Sequence, residues 1–306
     1  MNHTVRTLCA AAVACLLAGG VAGCAAAEED TVTLALSTQT NPFFVQVRDG
    51  ALERAAELGV DLGVQDAGDD ALKQADQLNT AVATDADVVL VNPVDSDAVG
   101  NSVEALNDAG IPVVALDRTA NSGRLTSYVA SDNVSGGRQA ADALAEAIGG
   151  RGKVIVLQGI PGSSSSRDRG QGFRERIAEY PDIEIVAQQT AGFDRTKGLD
   201  VATNLLQANP DVVGIFAEND EMALGAIEAV GARAGKEVSI VGFDGTSEGL
   251  AAVDAGTMTA TIAQQPRELG AVAVEQAQAL LRGDTVAEVV PVPVVSVTKK
   301  NVGEYL

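Results

Sequence analysis

Histidine is all but absent: the single copy in 306 residues is His3. Cysteine occurs three times, at Cys9, Cys15 and Cys24, and tryptophan not at all. Positive charge is also short, with 21 Lys and Arg against 42 Asp and Glu, a formal charge of −21. Each shortage excludes something. Duplex nucleic acid demands a clustered positive face to displace phosphate counterions, so the charge argues against a nucleic-acid partner. If the chain is trimmed before Cys24, no histidine remains and no cysteine but Cys24 itself. That removes Ser-His-Asp catalysis, free cysteine nucleophiles, histidine zinc sites and disulfides. Aromatics make up only 3% of the chain, so a phenylalanine in a loop is informative.

The first segment reads as an export signal. Arg6 gives a positive start, and Leu8 to Val21 is apolar and small over about 14 residues, short of the ~20 that span a bilayer. It closes on Val21-Ala22-Gly23-Cys24, the pattern in which a cysteine is lipidated and becomes the new N-terminus. Residues 1–23 are therefore expected to be a lipoprotein signal peptide. Residues 24–30 (CAAAEED) are expected to be a solvated tether from the lipid on Cys24.

From Thr31 a short β-branched run, a turn and a helical stretch alternate. Val32–Ser37, Val88–Asn92, Val113–Asp117, Val154–Gln158, Ile183–Ala187, Val212–Ala217 and Ile240–Phe243 read as strands. They are continuously apolar, as strands buried on both faces of a parallel sheet are. Leu199, Ala202, Leu205 and Leu206 form one helical stripe, and Leu269, Val272, Ala273 and Leu280 another. The class is α/β, doubly wound, with about five strands before Ser131 and five or six after. A 306-residue chain suits two similar lobes.

Ligands of such sheets bind beyond the carboxyl ends of the strands. Those ends carry Asn41, Phe43, Phe44, Asn92, Asp117, Arg118, Arg167, Phe193, Asn219, Asp244 and Gln264. Singly, each has a structural reading. Asp244 suits a helix N-cap, Asp117 and Arg118 a surface pair, Arg167 and Arg169 solvated helix-start charges, Phe43 or Phe44 a core position, and Asn92 a turn. Jointly they bring carboxylates, guanidiniums, amides and rings to one edge. Vicinal hydroxyls both donate and accept, and aromatic faces cover the C–H side of a sugar ring, so the set suits a small neutral polyol.

Other motifs fail. Gly149–Lys153 lacks the first glycine and the closing Ser or Thr of a phosphate loop, and no GxGxxG follows the first strand. Asp95-Ser96-Asp97 begins like a calcium loop, but Val99 and the missing closing Glu make helix capping the better reading. Ser163–Ser166 reads as a flexible strand-to-helix loop. Asn133-Val134-Ser135 is a glycosylation sequon only in form, and Asp132-Asn133 more plausibly opens a helix.

The blocks STQTNPFF, VNPVDSDAVGN, ALDR, ASDNVSGG, LQGIPGSSSSRDRGQGF, FDRTKGL, FAENDEMALGA, VGFDGT and TIAQQP closely resemble the ribose-binding members of the sugar-binding type I periplasmic-binding-protein family. The likeness runs from about Thr31 to the last strand. It implies two doubly wound lobes, 31–131 with 265–293 and 132–264 with 294–306, joined by three crossings. Without it, one cut near residue 131 is expected. It also implies a sugar shell of Asn41, Phe43, Phe44, Asn92, Asp117 and Arg118 from the first lobe. Arg167, Phe193, Asn219, Asp244 and Gln264 would come from the second. Glu218 departs from the pattern, standing where such proteins often have Gln.

The implied function is capture of D-ribose or a similar monosaccharide outside the membrane and delivery to an ABC permease, by a lipid-anchored monomer without metal or cofactor. Allose, galactose-type sugars and autoinducer-2 are the competing ligands. A glycosidase is the rival class; against it, Arg118 and Arg167 are expected to keep Asp117 and Asp244 ionised, whereas a general acid must hold its proton. A LacI-type regulator needs a helix-turn-helix where this chain has a signal peptide.

Overall fold

The computed structural model describes residues 31–306. The expected signal peptide, lipidated Cys24 and tether lie outside the described residues.

Two six-stranded sheets organise the chain. The first holds β1 (Thr31–Leu36), β2 (Asp61–Asp66), β3 (Val88–Val91), β4 (Val113–Leu116), β5 (Ser127–Ser131) and β11 (Val289–Val292). Its order is β11-β5-β4-β3-β1-β2, with every pair parallel. The second holds β6 (Arg151–Gln158), β7 (Asp182–Thr190), β8 (Val212–Ala217), β9 (Ser239–Asp244), β10 (Ala260–Ala263) and β12 (Val295–Thr298). Its order is β12-β10-β9-β8-β6-β7. There β12 runs antiparallel to β10, while the other pairs are parallel. Seven strands follow Ser131, more than the sequence suggests, and one of them returns to the first sheet.

Helices cover both faces of both sheets, which is why central strands such as β3 and β4 are apolar throughout. In the first lobe Leu34, Leu90 and Leu116 pack towards α1 (Pro42–Leu58) and α9 (Pro266–Leu281). Their neighbours Ala35, Val89 and Ala115 face α2 (Ala71–Ala83) and α3 (Gly100–Asp108) on the other side. In the second lobe Val156, Phe216 and Phe243 pack towards α4 (Asn133–Ala147) and α5 (Ser164–Ile177). Leu157, Ile215 and Ile240 face α6 (Arg195–Ala208), α7 (Asp220–Val230) and α8 (Ser247–Ala255). The edge strands β2, β7, β11 and β12 are the exceptions: each is paired on one side only and carries half-buried and exposed residues. Asp132 caps α4, as expected, accepting from Ser135 N–H at 3.0 Å.

The chain passes between the sheets three times, from β5 to α4, from β10 to α9, and from β11 to β12. The carboxyl ends of the two sheets face each other across the resulting cleft.

Candidate ligand site between the lobes

The helix caps set the amides. Asn41 stands between β1 and α1; its Oδ1 accepts from Phe43 N–H at 2.9 Å, and Pro42 fixes the first helical position. Asn219 does the same for α7, its Oδ1 accepting from Met222 N–H at 3.0 Å. Both oxygens are thus occupied by the fold, and the Asn41 amide N–H groups remain for the cleft. The Asn219 Nδ2 donates one long bond of 3.3 Å to Phe193 O and keeps its second N–H. A cap and a ligand contact are compatible uses of one side chain.

The charged residues form one pair per lobe. Asp117 follows β4, with Arg118 Nε 3.6 Å from its carboxylate. Asp244 ends β9, with Arg169 Nη1 3.4 Å away. All four are buried. Asp244 is not a helix cap; Thr246 caps α8. Asp117 (φ 62°), Phe193 (φ 60°) and Asp244 (φ 121°) hold positive backbone angles, sparsely populated conformations that cost about 1–3 kcal/mol each. Three of the five non-glycine residues with positive φ among the described residues are therefore residues expected at the site.

The rings and guanidiniums interleave. Phe43 and Phe44 pack edge to face at 5.1 Å. The Arg118 guanidinium lies 5.1 Å from the Phe44 ring centre and 5.5 Å from that of Phe193. Arg169 sits 3.9 Å over Phe243 and 5.9 Å from Phe193. Gly159 is needed here, because a Cβ on it would run into the Phe193 ring.

Together Asn41, Phe43, Phe44, Asp117, Arg118, Phe193, Asn219 and Asp244 bound a space of about 220 Å³, completed by Ser165 and Arg169. Two buried polar atoms on its wall, Asp117 Oδ1 and Arg118 Nε, have no hydrogen-bond partner among the described residues. Buried polar groups are rarely left unpaired, so these are ready to take the hydroxyls of a ligand.

Three expected contacts stand elsewhere. Arg167 is exposed and donates to Gly162 O (3.1 Å) and Asn121 Oδ1 (3.2 Å). The helix period explains it: Arg169 shares the buried stripe of Phe173 and Ile177, four and eight residues on, while Arg167 points to the other face. Arg169 Nε donates to Asn133 Oδ1 (2.9 Å) and Nη1 to Glu218 O (2.7 Å), so its remaining nitrogen is left for the cleft. Asn92 lies behind Asp117 with its groups engaged. It accepts from Ser37 N–H and Oγ–H and donates to Leu116 O and Asp117 Oδ2. It helps to position that carboxylate. Gln264 likewise stands behind Asp244, donating to its Oδ1 at 2.7 Å, but its Oε1 is buried without a partner among the described residues. Sequence reasoning missed Ser165, whose hydroxyl on the wall is 2.7 Å from that of Ser163.

Burial pushes the Asp117 and Asp244 carboxyls above the usual carboxylate range, against the opposing charges of Arg118 and Arg169. The expectation that Arg118 and Arg167 keep them ionised is thus corrected in two ways. The partner of Asp244 is Arg169, and desolvation outweighs the ion pairs. Glu218, the departure from the family pattern, turns away from the cleft. It accepts from Gly159 N–H at 2.7 Å and from Ser166 Oγ, and burial raises its carboxyl to about 7.

Residues 32–285 match the family model described as a periplasmic binding protein domain. The chain belongs to the periplasmic binding protein family. Family members are solute binders, not enzymes. Among curated relatives, the ribose import binding protein RbsB of Haemophilus influenzae is 47% identical over 277 residues, covering 90% of this chain and 94% of that protein. Among solved structures, the Caulobacter myo-inositol binding protein bound to myo-inositol superposes with a TM-score of 0.87. It is 34% identical, covering 91% of this chain and 96% of that one. A periplasmic solute-binding protein of Actinobacillus succinogenes with bound D-allose gives a TM-score of 0.85 at 36% identity, covering 90% of this chain and 99% of that one. As a periplasmic binding protein, this chain works outside the cytoplasm.

Proposed function

We propose that this protein captures D-ribose, as a pyranose, between its lobes and delivers it to the permease of an ABC importer. The observation that carries the reading is the pair of Asp-Arg couples, Asp117 with Arg118 and Asp244 with Arg169, lining one space together with Phe43, Phe44 and Phe193. Carboxylates accept hydroxyl protons, guanidiniums donate to hydroxyl oxygens, and the rings take the C–H faces. The relationship to ribose import binding proteins supports ribose over other sugars. Solute binding, the work of this family, needs these contacts only for holding.

Asn41, Phe43, Phe44, Asp117, Arg118, Ser165, Arg169, Phe193, Asn219 and Asp244 contact the sugar, with Gln264 reaching it through its unpaired oxygen. The lobes 31–131 with 265–293 and 132–264 with 294–306 open and close about the three crossings as a monomer. Sugar touches both lobes, so it favours the closed arrangement. The mature chain is held to the membrane by lipid on Cys24; palmitate labelling lost in Cys24→Ala checks that part.

The ligand is tested by retention of labelled D-ribose against unlabelled D-allose, D-galactose, D-arabinose and autoinducer-2. Displacement by ribose at lower concentration than by any other supports the reading. Displacement only by another of these keeps the mechanism and replaces the ligand.

A further inference from the structure

The failed calcium loop at Asp95–Gly100, Ser164 of the serine run, and Arg167 come to one place across the cleft. Ser96, Ser164 and Arg167 stand outside the walls of the ligand space, although the neighbouring Ser165 is part of them. Asp95 Oδ1 accepts from Asp97 and Ala98 N–H at 2.8 Å each, making a tight turn that presents Ser96. Ser96 is fully buried. Its N–H donates to Gly162 O of the other lobe at 3.0 Å. Its Oγ accepts from Ser164 N–H at 3.3 Å. That N–H belongs to the first turn of α5, where the helix has no partner of its own to offer. In return Ser164 Oγ accepts from Thr119 N–H of the first lobe at 3.0 Å. Asn121, held by Asp97 Oδ1 at 2.6 Å, accepts from Arg167 Nη2 at 3.2 Å. A Cβ on Gly162 would collide with the Asp95 carboxylate, so the surfaces fit closely.

We infer that Ser96, Asn121, Ser164 and Arg167 form a latch between the lobes that sets how tightly every sugar is held without touching any of them. The inference rests on the capture reading above. These bonds join the lobes directly and exist only when the lobes meet, so they stabilise the closed arrangement itself. A ligand's apparent dissociation constant scales inversely with the fraction of protein in the binding-competent state. A latch bond therefore multiplies all affinities by one factor. A contact to the sugar changes the ratio between sugars.

The test is titration calorimetry and stopped-flow release with D-ribose and 2-deoxy-D-ribose, on the parent, Ser96→Ala, Ser164→Ala, Arg167→Ala and the triple variant. A net hydrogen bond corresponds to a factor of about 2–10. Each single variant is expected to weaken both sugars by the same factor in that range, through faster release, and the triple variant by more than any single one. Arg167 is exposed, so Arg167→Ala keeps the fold, and a sugar-free thermal melt identifies any serine variant that does not. Unchanged affinity overturns the latch. So does a factor that differs between the two sugars, which would return Arg167 to the ligand contacts. A parent protein that binds neither sugar overturns the capture reading instead, before any variant is compared.

Discussion

Arg167 and Arg169 are two residues apart in sequence and opposite in environment. One is exposed; the other is sealed under Phe243 with Asp244, Asn133 and the Glu218 carbonyl. Arg169→Lys keeps a cation beside Asp244 but loses the planar fork, so ribose affinity is expected to fall about 10–100-fold as one charge-assisted bond to the sugar is lost. Arg169→Ala leaves Asp244 buried without its cation and should cost roughly 3–5 kcal/mol of stability in a urea titration. Glu218 makes a separate prediction. Its ordinary value is 4.5 and folding raises it to about 7. Folding thus tightens its hold on a proton. Its contribution to stability is full below pH 4.5 and is lost as pH rises through 7. Glu218→Gln should flatten the fall of unfolding free energy over that window, by an amount on the order of 3 kcal/mol. An unchanged slope would mean that another carboxyl, such as the buried Asp220, dominates. The site residues were readable as strand-end polar residues, and most of them converge. The Arg169 assignment was readable too, had the phase of Phe173 and Ile177 been followed back one turn. Ser165 was not readable, because a serine run has no apolar period to set its phase.

Strands β3 and β4 have no exposed residue, which is what a continuous run of Val, Leu and Ala between two helix layers requires. Leu90→Ala should therefore cost about 2–5 kcal/mol, while Leu72→Ala on the exposed face of α2 should stay within about 0.5 kcal/mol. Urea midpoints of the two variants check the contrast. The buried central strands were legible for this reason, and α6 and α9 from their stripes. Strands β2, β5, β10, β11 and β12 were not picked out. They are short or interrupted by Gly63 and Pro291, and their place depends on distant partners such as Val290 beside Val129. Ile183–Ala187 looked like a central strand. Its alternation with Glu184 marks the edge that β7 is.

At the scale of the molecule, the three crossings divide the sequence where no composition changes. Periodicity locates elements but says nothing of which sheet a strand joins, so β11 and β12, separated by two residues, could not be assigned to different lobes from pattern alone. The resemblance to a known family carried that part. On the proposed reading, two lobes each contributing an Asp-Arg couple make closure and binding one event. Small-angle scattering should accordingly show a smaller radius of gyration for any open population on adding D-ribose, and none on adding a sugar that does not bind. The most direct test of the account is calorimetric titration of residues 25–306 with D-ribose, for the parent, Asp117→Asn and Asp244→Asn. One-to-one binding that either substitution, from either lobe, weakens at least tenfold is the predicted result. Tight ribose binding that survives both substitutions would contradict capture between the lobes.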